Sequence, residues 1–273
     1  MLKLINGRNW YAACVFRRRI VTSSEKLCLK AEASSEEDST GADNPYFADF
    51  QKFHIEASPA QKLILSLGSA ITTLLNPGRP DALGVFGETS GHSALQKMHE
   101  KMMMSSEGQL ILTDKPRINS STVDLNCLKK LPPNTLGRTY IKFLEENNVT
   151  PDSRTPVQFV DDIELAFVMQ RYREIHDLVH TVLGMPTNML GEVAVKWVEG
   201  IQTGLPMCVS GAIFGPLRLK PKQRQRYVNS YLPWALSTAA NAEFILNIYF
   251  EKRWEQPMGE LLKELKIEPF VES

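Results

Sequence analysis

The stretch from Pro156 to Thr203 constrains this chain more than any other. Apolar residues recur there with helical spacing, and the pattern is interrupted once, over Gly184 to Asn188. Gly184 is placed to terminate a helix, and Pro186 prevents its continuation. The chain must therefore reverse direction over Met185 to Asn188. A helix from about Pro156 to Leu183 and a partner from about Asn188 to Thr203 are expected to form an antiparallel hairpin.

The rest of the chain reads the same way. Helices are expected over Pro59 to Asn76 (Ser58 as cap, Pro59 in the first turn), Thr89 to Ser105, Leu136 to Asn147, and Pro257 to Leu265. Another should run from Lys222 to Trp254, kinked or broken at Pro233. Strand-like alternation is confined to Gln109 to Thr113, after a loop through Gly108. No internal repeat is visible. The expected class is all-α, a single helical domain over residues 46–273.

Two stretches precede that domain. The first 24 residues hold Lys3, Arg8, Arg17, Arg18 and Arg19, no acid, and interspersed Leu2, Trp10, Val15, Phe16 and Ile20. This is the composition of a mitochondrial transit peptide; a basic disordered tail is the alternative. Residues 25–45 are acidic and Ser-rich, with little to bury, and read as a disordered linker. The whole chain balances 31 basic against 31 acidic residues, so removal of the five basic residues of the leader leaves it acidic by five. Cys14, Cys28, Cys127 and Cys208 form no C-x-x-C pair, so neither a disulfide framework nor a thiolate metal cluster is expected. The longest uncharged apolar run, Leu63 to Leu75, is too short to span a bilayer.

The chemistry lies at the hairpin, in I-H-D-L-V-H-T-V-L-G-M-P-T-N-M-L-G-E. His176 and His180, four apart, share a helix face one turn from each other, and Asp177 flanks it. Glu192 sits about one turn into the next helix and faces His180 across the hairpin. Two imidazoles and two carboxylates suit Zn²⁺, and also Fe²⁺ or Mn²⁺. A lone His pair at this spacing is more often a polar surface or core pair. The apolar neighbours Tyr172, Ile175, Val179 and Leu183 argue for burial, and buried together these four groups need a cation or protons.

The pattern H-D-x-x-H, eleven residues, then E resembles the signature of the fourth protein of coenzyme Q (ubiquinone) biosynthesis. The flanks resemble that family too: Phe159-Val160-Asp161-Asp162, Leu205-Pro206-Met207-Cys208, Phe214-Gly215-Pro216, Leu83-Gly84 with Gly87-Glu88-Thr89, Leu136-Gly137-Arg138, and Tyr249 to Glu255. The resemblance runs from about Pro59 to Leu265. It implies a mostly helical protein, peripheral to the matrix face of the mitochondrial inner membrane. It implies work within a complex of coenzyme Q biosynthesis proteins. It implies removal of the C1 carboxyl of a polyprenylated 4-hydroxybenzoate derivative, with or without oxidation at that carbon. The implied ligands are His176, Asp177, His180 and Glu192, and the implied metal is zinc.

Asp177 and His180 are the candidate catalytic residues, with a proton for C1 coming from Asp177 or from a water on the ion. The greasy tail needs a groove, for which Leu63–Leu75 and the run Val209, Ala212, Ile213, Phe214 and Leu217 are candidates; plain core is the alternative. Arg218, Lys220, Lys222, Arg224 and Arg226 form an acid-free cluster suited to anionic lipid head groups, or to a merely solvated face. Nucleic-acid binding is not expected. The charges at Arg171, Arg173 and Glu174 read as the wet side of the long helix. His54, His92 and His99 read as structural. Two other readings are a lipid-binding scaffold in which the ion only staples the hairpin, and a metal-dependent phosphohydrolase, for which a further His and Asp cannot be placed. A homo-oligomer fits either of the first two.

Overall fold

In a computed structural model, residues 44–76 and 78–272 are described. The leader and nearly all of the linker lie outside them; Asn44 and Pro45, placed in the linker, cap and open the first helix. The described residues are helical: α1 (Pro45–Phe53), α2 (Pro59–Leu75), α3 (Pro80–Ser90), α4 (His92–Met103), α5 (Ser106–Asp114), α6 (Leu125–Leu128), α7 (Leu136–Asn147), α8 (Ile163–Leu183), α9 (Met189–Thr203), α10 (Pro206–Phe214), α11 (Pro221–Arg226), α12 (Leu232–Asn241) and α13 (Met258–Glu264). The one extended pairing among them is an isolated bridge between Thr135 and Pro257. The all-α class stands.

Several elements differ from expectation, each for a local reason. Gln109 to Thr113 is not a strand but part of α5, whose N-terminus is capped by the Ser105 side chain accepting from Gly108 N–H. The helix expected over Thr89 to Ser105 is two, broken at Gly91, where a Cβ would collide with the Gly87 carbonyl. The long helix begins at Ile163 rather than Pro156, because Asp162 caps it by accepting from Glu164 and Leu165 N–H. Residues 157–159 are instead held by side chains: Gln170 accepts from Val157 N–H, and Glu88 accepts from Gln158 and Phe159 N–H. Beyond Asn241 the α-helix stops. Two short 3₁₀ turns follow, Ile245–Asn247 and Phe250–Lys252, and Ile245, Leu246, Ile248, Tyr249 and Phe250 are buried, a spacing that imitates a helix. Pro233 does not break its helix; a π turn, Tyr227–Tyr231, precedes it and Pro233 sits in the first turn of α12.

The core is built around α8. From Leu165 to Leu183 every residue is buried, and α1, α4, α5, α7 and α9 pack on it. A helix enclosed on all sides has no wet face. The charges expected to be solvated are therefore paired inside. Arg171, fully buried, donates to Glu251 and to the Ile248 carbonyl. Arg173 donates to Glu88 at 2.5 Å. Glu174 accepts from Arg117 at 2.7 Å and from Ile118 N–H at 2.8 Å. Cys208 is buried and free. No described helix is long and apolar enough to cross a membrane.

Candidate metal centre

The hairpin forms where expected. Gly184 takes φ 63°, the left-handed region, and the Met185 N–H donates to the His180 carbonyl at 3.0 Å while Gly184 N–H reaches that of Thr181. These two bonds end α8 in a Schellman turn. Asn188 then opens α9 by accepting from Leu190 and Gly191 N–H at 3.1 Å each. A Cβ at residue 191 would strike the Pro186 carbonyl oxygen, so glycine lets the turn close.

That turn brings His176, His180 and Glu192 together. One ligand atom from each lies within 4.8 Å of the other two. Glu192 Oε1 stands 3.3 Å from His180 Nε2, and its Oε2 stands 3.9 Å from His176 Nε2. The two rings meet edge to face with centroids 4.8 Å apart. His180 also stacks on Phe143 and is buried. Its Nδ1 lies 3.1 Å from the Met185 carbonyl oxygen, which can only accept, so Nδ1 carries the hydrogen. In the neutral ring Nε2 then carries the bare lone pair; it is buried, makes no hydrogen bond, and has the Glu192 carboxylate 3.3 Å away. An orphaned lone pair facing a carboxylate fits a cation, and the donor set of two nitrogens and an oxygen fits Zn²⁺, Fe²⁺ or Mn²⁺.

The fourth expected ligand is placed differently. Asp177 is buried, but its Oδ1 accepts from the Arg154 guanidinium at 2.9 Å, and it is not one of the three converging groups. His54, His92 and His99 also lie outside that group.

Burial disfavours a charge on His176 and lowers its pKa. Burial opposes a charge on His180 as well, but the Glu192 carboxylate outweighs it and the pKa is raised. Burial acts against Glu192 too; the two histidines and Lys196 overcome it and hold this carboxyl at about 2.

Behind His176 lies a charged network that the sequence reading missed. Glu199 is fully buried; its Oε1 is 2.6 Å from His176 Nδ1, and its Oε2 accepts from Lys196 at 2.7 Å and Tyr172 at 2.8 Å. A signal was present: 192, 196 and 199 recur at i, i+4 and i+7 on one helix face. Arg154 was missed too, and nothing in its local sequence marks it.

Comparison with known proteins places the chain in a family. Residues 51–270 match the family model described as coenzyme Q (ubiquinone) biosynthesis protein Coq4. The chain is 56% identical over 220 residues to an Anopheles gambiae protein named a mitochondrial ubiquinone biosynthesis protein COQ4 homologue, covering 81% of this chain and 78% of the relative. A Drosophila ananassae protein of the same name is 48% identical over 256 residues, 93% of this chain and 96% of that one. The crystal structure of a Nostoc punctiforme protein that carries a ubiquinone biosynthesis name aligns with a TM-score of 0.60, over 73% of this chain and 95% of the other; at 19% identity it speaks for the fold alone. The chain belongs to the coenzyme Q (ubiquinone) biosynthesis protein Coq4 family.

Proposed function

We propose that this protein removes the C1 carboxyl of a polyprenylated 4-hydroxybenzoate-type intermediate, 4-hydroxy-3-methoxy-5-polyprenylbenzoate, at the centre formed by His176, His180 and Glu192. The observation that carries the reading is the buried, partnerless Nε2 of His180 within a converging three-ligand set. A divalent ion bound there, zinc first and Fe²⁺ or Mn²⁺ as alternatives, would supply Lewis-acid stabilisation of negative charge on the substrate.

The chain's own residues supply the rest. Decarboxylation breaks the bond from C1 to the carboxyl carbon, leaves the electron pair on C1, releases CO₂ and takes up one proton. We assign Asp177 to relaying that proton: the carboxylate, oriented by its salt bridge to Arg154, takes a proton from solvent water and passes it to C1. Arg154 keeps about a third of its side chain exposed and gives the anionic substrate a cation to approach. His180 serves by holding the ion, as does His176. The Glu192 side chain is about a third exposed, so the ligand set is open on one side. Structural zinc sites are closed, and catalytic ones keep a position free.

The remaining surface supports work at a membrane. α2 packs on α3 and leaves Leu63, Ile64, Leu67, Ile71, Leu74 and Leu75 exposed. The Arg218 side chain donates to the Leu74 carbonyl and ties exposed Leu217 to this end of α2. Lys220, Lys222 and Arg224 follow directly, and no described acid pairs with them. An apolar face beside a basic one suits the matrix leaflet of the inner membrane, where the prenyl tail and the other coenzyme Q biosynthesis proteins would be met.

The test is to purify the chain without its leader, measure bound metal, and follow CO₂ release from a prenylated hydroxybenzoate. Loss of both metal and CO₂ release in His180→Ala is the expected result. Full release without metal would overturn the reading. Normal metal content and no release under any condition, including added partner proteins, would leave the scaffold role. Oxygen at C1 of the product would identify the oxidative form.

A further inference from the structure

Glu199 touches no face from which substrate could arrive. It is fully buried behind His176, and every polar atom of its side chain is occupied. Oε2 takes hydrogen bonds from Lys196 and from the Tyr172 hydroxyl, which also stands 3.2 Å from Lys196 Nζ and 3.0 Å from Cys208 Sγ. Oε1 is left to His176 Nδ1 alone. A carboxylate can only accept, so Nδ1 must donate. The proton on Nδ1 leaves Nε2 bare, and Nε2 is the nitrogen that faces Glu192.

We infer that Glu199 is a positioning residue for the metal centre: it fixes the tautomer and ring orientation of His176, while Lys196 and Tyr172 lock the carboxylate itself. The inference rests on the metal reading above and deepens it. His180 is set by a backbone carbonyl, a device that needs no side chain. His176 lies mid-helix, where its backbone neighbours are engaged in the helix, so its orienting group must come from elsewhere. α9 supplies it. Glu192, Lys196 and Glu199 share one α9 face, so a single helix presents both a ligand to the ion and the support for the ligand on α8.

Two measurements test this. Nitrogen-15 NMR of histidine in the metal-free wild-type protein should show His176 protonated at Nδ1 and bare at Nε2. A proton on Nε2 instead would overturn the inference whatever binds at the site. The second measurement is zinc affinity by competition with a chromophoric chelator. Glu199→Ala leaves Lys196 buried alone and risks unfolding, so the informative variant is the pair Glu199→Gln with Lys196→Met, which removes both charges together. It should keep the fold, lose about 10- to 100-fold in zinc affinity, and show mixed His176 tautomers in the metal-free state. Unchanged affinity with a single Nδ1–H tautomer in the folded pair variant would overturn the inference. Wild-type protein with the Nδ1–H tautomer but no zinc binding would uphold the tautomer assignment and sink the metal reading instead.

Discussion

At the scale of single residues, the hairpin depends on a missing side chain. A Cβ on residue 191 would meet the Pro186 carbonyl oxygen, which is backbone and cannot swing away. Gly191→Ala must therefore open the turn that sets Glu192 against the two histidines. We expect a loss of about 1–3 kcal/mol in stability together with weakened zinc binding, read as a smaller rise in thermal midpoint on adding zinc. A variant with wild-type midpoints in both states would refute the steric account. Acid sensitivity is set nearby. Despite burial, Glu192 is held at about 2 by the histidines, and Glu199 lower still by His176 and Lys196, against an ordinary 4.5. Below pH 4.5 the folded state thus binds fewer protons than the unfolded chain, and stability falls as pH drops towards 2. Denaturant titrations of metal-free Glu192→Gln across that window should show a shallower fall than wild type; equal slopes would remove Glu192 from the account. The i,i+4 histidines and the glutamate beyond the turn were legible because helix geometry alone relates them. Arg154 was not, since its contact with Asp177 depends on how a 22-residue stretch of intervening chain folds back.

At the scale of elements, the hairpin was readable from Gly184, Pro186 and the spacing on either side, whereas the setting of α8 was not. Its polar residues look like one wet stripe, yet their partners Glu251, Glu88 and Arg117 lie 80, 85 and 57 residues away along the chain. No local pattern announces a partner so distant. The same blindness moved the start of α8, where Glu88 of α3 and Gln170 tie down residues 157–159 in an extended path. The buried pairs make a specific forecast. Arg171→Met leaves Glu251 charged and enclosed, and should cost about 3–5 kcal/mol. Adding Glu251→Leu removes the stranded charge and should recover most of that loss. Chemical denaturation of the two variants decides it: a double variant as unstable as the single one would mean that α8 needs the charge pair itself and not merely its neutralisation.

At the scale of the whole molecule, the fold separates three regions: an enclosed helix carrying the histidines, a partly open carboxylate at the hairpin, and an apolar helix face flanked by basic residues that no described acid neutralises. α2 is poorly covered by the rest, with Leu75 80% and Ile64 70% exposed, and its Leu74 end is bound to Arg218 of the basic segment. Apolar residues so arranged gain from leaving water, at roughly 25 cal/mol per Å² of apolar surface buried. The basic residues add about 1 kcal/mol each near an anionic leaflet. Two variants separate the contributions. Reversing Lys220, Lys222 and Arg224 to Glu should weaken binding to vesicles containing anionic phospholipid by at least about 100-fold at low salt, with little change on neutral vesicles. Leu67→Ser with Ile71→Ser should weaken binding to both kinds. Co-flotation reads each arm, and sedimentation without lipid tests whether the same face joins two copies of the chain. If the serine variant floats as well as wild type, α2 is not the docking helix, and a parallel change from dimer to monomer would give that face to a second copy instead.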